Sequence, residues 1–219
     1  MSFDALRKVP LFNPWNDSQL EAVAGLCTRK SFKAGTVLFR ENEPGNTFYI
    51  VLKGSIKLYT SRGGDEKILS VIHEGDCFGE LSLLDGKARS ASAQTLSDST
   101  LLSLTASQFL SLLKSDFYMT LMIMRELCQR LRDTNQHVND LTFLDARSRV
   151  IKSVITLANK HGNRQGNTIT IKLVLNYDEL SQMSSVQKPV LMQVMRDLHD
   201  KQILVHEGSD IKLDLSKLR

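Results

Sequence analysis

The sequence has few of the residues and segments that mark several classes of protein. Its 3 cysteines, Cys27, Cys77 and Cys128, are odd in number and scattered among 219 residues. This argues against a disulfide framework and gives no metal-ligand spacing, so we expect no metal site and a reducing compartment, the cytoplasm. No apolar run approaches the roughly eighteen residues of a membrane span, and the N-terminus lacks the apolar segment of a signal peptide. We therefore expect no membrane partner.

Catalytic signatures are also missing from the sequence. It contains no Gly-x-Ser-x-Gly, His-Glu-x-x-His, Cys-x-x-Cys or P-loop motif. The 5 histidines are dispersed, and none stands at a recognisable triad spacing from an acid. We therefore expect no enzyme activity, no catalytic residues and no cofactor.

Basic charge is concentrated in the last third of the chain. Residues 146–219 hold 12 Lys and Arg against 7 Asp and Glu, whereas residues 1–145 hold 16 against 17. The hydrophobic content of 42% and the charged content of 24% are otherwise ordinary for a globular protein. A local excess of positive charge suggests a polyanionic partner for this third.

Residues from about 30 to 105 form short β-rich runs that are separated by glycine-containing turns about every ten residues. Alternation and β-branching predict strands at 36–39, 47–52, 55–59, 67–72 and 100–104. Short strands with frequent turn signals indicate a sandwich or a jelly-roll barrel.

The stretch 79–91, Gly-Glu-Leu-Ser-Leu-Leu-Asp-Gly-Lys-Ala-Arg-Ser-Ala, has the chemistry of a nucleotide site. A helical turn at residues 81–84 would present free backbone N–H groups to an anion. Arg89 adds a guanidinium fork suited to phosphate, and Ser90 adds a hydroxyl donor. The carboxylate of Glu80 is wrong for phosphate but suits a sugar hydroxyl. Together these residues fit a nucleotide with a singly charged phosphate and a free 2′-hydroxyl.

A long amphipathic pattern without glycine or proline covers residues 117–140. Its seam positions recur every seven residues in two interleaved sets, Met124, Leu131, Val138 and Leu127, Thr134, Leu141. This spacing is typical of a two-stranded coiled coil and predicts a homodimer. The alternative is that the stripe packs against the barrel of its own chain.

The last fifty residues carry a second motif. A strand at 168–173 precedes a helix at 177–183, a turn at 184–186 and a helix at 187–201. Two short strands, 203–205 and 211–213, follow as a hairpin. This order predicts a winged helix-turn-helix.

Residues 78–82, Phe-Gly-Glu-Leu-Ser, followed by Arg89-Ser90-Ala91, resemble the phosphate-binding cassette of cyclic-nucleotide-binding domains. The flanking sequence, from about 10 to 215, is similar to the superfamily of the cyclic AMP receptor protein (catabolite activator) and the fumarate–nitrate regulator. The resemblance implies an α+β fold with a sensor barrel over 1–116, a dimerisation helix and hinge over 117–144, and a winged helix-turn-helix over 145–219. It also implies a homodimer that binds a cyclic nucleotide and palindromic double-stranded DNA, with RNA polymerase as a further partner.

The resemblance assigns residues to two sites. The expected ligand residues are Gly79, Glu80, Leu81, Ser82, Arg89, Ser90, Thr134 and Asn135. The expected DNA-binding residues are Ser185, Gln187, Lys188, Met192, Gln193 and Arg196. Arg89 followed by serine resembles the cyclic AMP version of the cassette, so cyclic AMP is the expected effector, and another nucleotide, or none, is the alternative. Asn135 replaces the family's usual serine at a position that reaches the adenine.

The recognition helix departs from the family pattern. Pro189 stands where the family has a glutamate, and Gln193 stands where it has an arginine. Glutamine pairs best with adenine, and Met192 offers apolar contact to a thymine methyl, so we expect a half-site richer in A·T, with Lys188 keeping one guanine or phosphate contact. Because this helix is unusually apolar, an alternative function is a cyclic-nucleotide-binding module that acts on a protein partner without reading DNA.

Overall fold

The computed structural model describes residues 4–7, 9–172, 175–207 and 210–217. The chain divides into two compact units, Met1–Arg132 and Asp133–Arg219. The helix that carries the heptad pattern runs through this division. The finer sequence boundaries at 116 and 144 stay predictions.

The first unit opens with short helices, α1 (Asp4–Arg7), a 3-10 turn (Pro10–Phe12) and α2 (Asp17–Leu26). The polar stretch Asn16-Asp17-Ser18 before a helical pattern predicts an N-cap, and Asn16 caps α2: its side chain accepts from the backbone N–H of Gln19, while the Gln19 side chain accepts from the backbone N–H of Asn16. This reciprocal pair satisfies two N–H groups at the start of the helix. The apolar side chains of the segment are buried against the barrel and the helices that follow it.

Eight strands form the barrel. They are β1 (Thr28–Phe32), β2 (Val37–Phe39), β3 (Thr47–Lys53), β4 (Ile56–Arg62), β5 (Asp65–Ile72), β6 (Cys77–Phe78), β7 (Ser92–Thr95) and β8 (Ser99–Thr105). They make two antiparallel four-stranded sheets with the orders β1-β8-β3-β6 and β2-β7-β4-β5. The predicted jelly-roll sensor fold is thereby confirmed.

Three of these strands, β1, β6 and β7, were not predicted from the sequence. β7 reads Ser-Ala-Gln-Thr and has no apolar alternation, yet Ser92 and Thr95 are buried. The Thr95 hydroxyl donates to the carbonyl of Lys33 and accepts from the backbone N–H of Thr36. Tertiary hydrogen bonds therefore make this polar segment a core strand.

Three further helices accompany the barrel. The short α3 (Leu81–Asp85) lies between β6 and β7, and α4 (Ala106–Ser115) and α5 (Phe117–Phe143) follow β8. On α5 the seam residues Met124, Leu131, Val138 and Leu141 are 54%, 61%, 55% and 44% exposed. Leu127 differs, because it is half-buried and packs against the core of its own unit. One edge of α5 therefore packs on the core of its own unit, as the alternative reading expected, and the other edge leaves an apolar row exposed, whose place in a homodimer stays a prediction.

The second unit contains α6 (Ala146–His161), β9 (Asn163–Gln165), β10 (Thr168–Lys172), α7 (Tyr177–Ser184), α8 (Lys188–Asp200), β11 (Leu204–Glu207), β12 (Asp210–Asp214) and a 3-10 turn (Leu215–Lys217). The strands pair antiparallel in the order β11-β12-β10-β9. Asn176 stands just before the helix that the sequence predicts at 177–183, and it caps α7 through a capping box with Glu179. The helix pair and wing confirm the winged helix-turn-helix.

The Gly- and Asn-rich composition of residues 159–167 predicts a loop, but this segment contains β9, which hydrogen-bonds with β10. Gly162 is the C-cap of α6, and its backbone is extended, with φ −89° and ψ 152°. A Cβ there would lie 2.2 Å from Cγ2 of Ile169 and 2.4 Å from the carbonyl oxygen of Ala158. Close packing, not backbone freedom, requires this glycine.

None of the helices in the described parts of the chain is long and apolar enough to cross a membrane.

Candidate functional site

Arg89 is the centre of the candidate ligand site in the first unit. It precedes β7, and its side chain turns inward, where it is only 5% exposed. Nη1 donates to the carbonyl of Gly79 at 2.7 Å and to the hydroxyl of Ser82 at 2.8 Å, and Nη2 donates to the carbonyl of Thr47 at 2.7 Å. The guanidinium carbon lies 4.1 Å from the ring centroid of Phe39. These contacts hold the cation in one orientation.

Two glycines make room for this arginine. A Cβ on Gly45 would lie 2.1 Å from the Ser82 hydroxyl and 2.9 Å from Nε of Arg89. A Cβ on Gly79, whose φ is +86°, would lie 2.9 Å from Nη1 of Arg89 and from the carbonyl oxygen of Thr47. Only residues without a side chain allow the backbone to approach the guanidinium this closely.

Glu80 is fixed by an arginine that the sequence analysis did not single out. Glu80 is 3% exposed, and its Oε1 accepts from Nη1 of Arg130 at 2.7 Å. Nη2 of Arg130 donates to the carbonyl of Cys77 at 2.6 Å. Arg130 lies on α5 one turn after Leu127, on the edge that covers the barrel. The three-residue spacing from Leu127 places Arg130 on the same face of the helix, and this could have been noticed in the sequence. Only the fold shows that this face reaches residue 80.

One cavity joins these residues. It is lined by Phe39, Leu58, Gly79, Glu80, Leu81, Ser82, Arg89, Ser90, Ala91 and Arg130, and has a volume of about 40 Å³. A single water needs about 10–15 Å³ on this measure, so the cavity accepts a group of a few heavy atoms. The larger part of a nucleotide would have to lie outside it.

Two buried polar atoms in the cavity wall have no partner. They are Nε of Arg89, a donor, and Oε2 of Glu80, an acceptor. Burial also lowers the pKa of the Arg89 guanidinium, and an anion at Nε would oppose that effect. The N–H at Nε can donate to an anionic oxygen of a ligand, and Oε2 can accept from a hydroxyl of the same ligand. This is the chemistry expected from the sequence.

The other expected ligand residues have different surroundings. Ser90 and Leu81 are exposed at the edge of the cavity, whereas Ser82 is buried and its hydroxyl accepts from Arg89. Thr134 and Asn135 occupy exposed positions of α5 in the second unit. Their contact with a base stays a prediction.

The expected DNA-binding residues lie at the turn and on the outer face of α8. Leu191, Val194, Met195 and Leu198 are buried, which accounts for most of the apolar character of this helix. Gln187, Lys188, Gln193 and Arg196 are exposed, and Met192 is half-buried.

Ser185 turns the chain between α7 and α8 in the left-handed region, with φ 53°. Arg149 of α6 holds this turn, because its Nη2 donates to the carbonyl of Ser185 at 3.1 Å and its Nε donates to the carbonyl of Ser184 at 3.3 Å. The turn is therefore fixed by a residue that sequence reasoning did not identify.

No group of three or more His, Cys, Asp and Glu that could hold a metal ion occurs in the residues that the structure describes.

Comparison with known proteins agrees with the geometry. Residues 29–116 match the family described as "Cyclic nucleotide-binding domain". The chain is 26% identical over 215 residues to the CRP-like cAMP-activated global transcriptional regulator of Mycobacterium tuberculosis, covering 98% of this chain and 96% of the relative. It is 27% identical over 196 residues to the cyclic AMP receptor protein of Thermus thermophilus, covering 89% and 88%.

A solved structure supports the same fold. The c-di-GMP responsive global regulator CLP of Xanthomonas campestris superposes with a TM-score of 0.75 at 21% identity, over 91% of this chain and 99% of that one. The curated relatives are named as regulators and not as enzymes, in agreement with the missing catalytic motifs. Residues 29–116 therefore match a cyclic nucleotide-binding domain, and over nearly its whole length the chain is similar to proteins named as cAMP-activated transcription regulators.

Proposed function

We infer that the protein is a cytoplasmic, ligand-gated transcription regulator that binds cyclic AMP in the barrel and palindromic DNA as a homodimer. The proposal that the barrel binds cyclic AMP rests on one observation: two buried atoms without a hydrogen-bond partner, Nε of Arg89 and Oε2 of Glu80, line one small cavity. A cyclic phosphate bears one negative charge and supplies the acceptor. The ribose next to it supplies the 2′-hydroxyl donor.

The cavity volume agrees with this assignment of groups. At about 40 Å³ it accommodates the phosphate and the sugar edge, while the base would lie outside, towards the exposed Leu81 and Ser90. We propose Thr134 and Asn135 as the residues that recognise the base, on the ground of the family resemblance alone. Cyclic AMP is favoured because Arg89 is followed by serine, and because the Mycobacterium relative is named as cAMP-activated.

The DNA half of the proposal is supported by the winged helix-turn-helix. Its outer face carries Lys188, Gln193 and Arg196, which are exposed and polar. The apolar residues that suggested a protein-binding module are largely buried in the domain, so they no longer favour that alternative. We propose RNA polymerase as the further partner of the DNA-bound dimer.

The ligand assignment is tested by calorimetry with cyclic AMP, cyclic GMP and c-di-GMP on the purified protein. Cyclic AMP should bind tightest. Removing a guanidinium that pairs with a desolvated phosphate costs roughly 2–5 kcal/mol, or about thirty- to several-thousand-fold in affinity. Arg89→Ala should therefore abolish binding at micromolar ligand, and Glu80→Ala should weaken it less.

Two further variants serve as controls for Arg89→Ala. Arg89→Lys keeps the charge but loses the fork, so it should still bind weakly. Arg29→Ala removes an exposed arginine on β1 and should bind like the wild type. Unchanged affinity in Arg89→Ala, or tighter binding of another nucleotide, would contradict the assignment.

In-vitro selection from random DNA, with and without cyclic AMP, tests the proposed binding of palindromic DNA. We expect inverted repeats one helical turn or a multiple apart, with half-sites richer in A·T than the family's usual operator. Recovery of the usual operator would overturn the specificity proposal. Recovery of no sequence would favour the module that acts on a protein partner.

A further inference from the structure

Lys188, the first residue of the recognition helix, is held by an acid of the preceding helix. Its Nζ lies 2.8 Å from Oδ1 and 2.9 Å from Oδ2 of Asp178. The two side chains are 51% and 62% exposed, so water surrounds the pair. An exposed ion pair contributes little to folding stability, and a competing anion can separate it.

The position of this pair matters because of how helix-turn-helix proteins dock. The first helix crosses the DNA backbone, and the N-terminal residues of the second contact base edges. Here α7 carries Asp178 and Glu179 in its first turn, whereas α8 presents Lys188 and Arg196 as exposed cations. Since α8 also carries Asp197 and Asp200, the two helices hold four carboxylates against two cations, and the basic excess of this third of the chain lies elsewhere.

We propose that Asp178 limits the affinity of this protein for DNA of any sequence, by holding the Lys188 ammonium and by placing a carboxylate beside the phosphate backbone. This rests on the proposed function, because it requires that α7 and α8 bind DNA. Of the guanine or phosphate contact expected for Lys188, the proposal takes the phosphate, and phosphate contacts set affinity without reading sequence. Relief of the restraint therefore acts equally on operator and random DNA.

The test is a comparison of Asp178→Asn with the wild type in DNA titrations across a range of salt concentrations. Asparagine keeps the size of the side chain and removes its charge. We expect about 3- to 10-fold tighter binding at low salt for operator and random DNA alike. The slope of log affinity against log salt should steepen by about one, because Lys188 becomes available to replace one counterion.

Asp200→Asn is the matched control, since Asp200 is an exposed carboxylate at the opposite end of α8. It makes the same change in net charge and should have a much smaller effect. Asp178→Asn in a Lys188→Gln background should also gain less than it does alone. Thermal unfolding confirms that each variant is folded.

Any of three results overturns the proposal: a gain in affinity for Asp178→Asn no greater than for Asp200→Asn, a gain that is undiminished without Lys188, or a gain that is confined to the operator. If neither the wild type nor any variant binds DNA, the proposed function itself is overturned. This result differs from the three above, in which the wild type binds DNA with a measurable affinity.

Discussion

At the scale of single residues, the empty ligand site lowers the folding stability of the protein. A buried donor or acceptor without a partner costs about 1–3 kcal/mol, and both Arg89 and Glu80 keep one such atom. The remaining atoms of the two side chains are tied to Thr47, Ser82 and Arg130. A ligand that satisfies both atoms therefore meets donors and acceptors that are already oriented.

Gly45→Ala tests the close approach that holds Arg89. The new methyl group would occupy the space of the Ser82 hydroxyl, 2.1 Å away, and would crowd Nε of Arg89 at 2.9 Å. Both side chains must move, so we expect cyclic AMP affinity to fall at least tenfold by calorimetry.

Gly25→Ala is the control for that change. Gly25 lies within α2, where an added Cβ meets nothing within 4 Å. Alanine there should leave affinity unchanged and raise the free energy of unfolding by about 0.5–1 kcal/mol. Wild-type affinity in Gly45→Ala would show that the site tolerates displacement of Ser82.

At the scale of elements, α8 ends in a way that its sequence does not favour. The backbone N–H of Ile203 donates to the carbonyl of Leu198, and that of Gln202 donates to the carbonyl of His199. This is a Schellman motif, in which the residue after the C-cap is left-handed and is usually glycine. Here it is Gln202, with φ 55°.

Gln202→Gly should stabilise the second unit by about 0.5–1 kcal/mol, because glycine removes the steric cost of the left-handed backbone. The urea midpoint of unfolding is the measurement. Gln202→Ala keeps that cost and should give no gain. A loss of stability in the glycine variant would mean that the side chain of Gln202 contributes more than the backbone strain costs.

The start of α6 makes stability depend on pH. The carboxylate of Asp145 accepts from the backbone N–H of Ser148, which lowers the pKa of Asp145. Since the folded-state pKa lies below the ordinary value of about 4, the carboxylate stabilises the fold above that pH. The contribution is lost as pH falls through the folded-state pKa.

Asp145→Asn keeps a capping side chain but does not titrate. Urea unfolding of the two proteins should differ at pH 7, with the wild type more stable, and the difference should shrink at pH 3. A difference that stays constant between the two values would show that the charge of Asp145 is immaterial to the cap.

At the scale of the whole molecule, the proposed assembly rests on the exposed apolar row on α5. Met124, Leu131 and Val138 are seven residues apart, Leu141 comes from the second heptad set, and all four are at least 44% exposed. Such a row costs free energy in water unless a second helix covers it. The proposed homodimer covers it and presents two recognition helices to a palindrome.

Leu131→Asp should produce monomers, because a carboxylate in the seam would be buried without a partner. Light scattering measures the mass directly. Leu69→Asp is the control, since Leu69 is 54% exposed on β5 and lies outside the row. An intact Leu131→Asp dimer would mean that the row is covered by something other than a second copy.

Local patterns were enough to predict much of this molecule. Asn16-Asp17-Ser18 and Asn176 predict helix N-caps because they stand just before helical patterns, and Asn16 and Asn176 do cap α2 and α7. The run of turns and short strands predicted the barrel, and heptad spacing predicted an apolar seam on α5. Glu80 and Arg89 were predicted as ligand residues from the chemistry of the stretch 79–91 and from its resemblance to the cassette, and the structure places both on one cavity.

Only the tertiary structure decided the rest, because those features depend on residues far apart in sequence. Arg130 reaches Glu80 across fifty positions, and Gly45 makes room for Arg89 from a separate loop. The β7 strand exists because buried hydroxyls bond to distant backbone groups. Periodicity places residues on a face of a helix or strand, but it does not say which distant segment that face will meet.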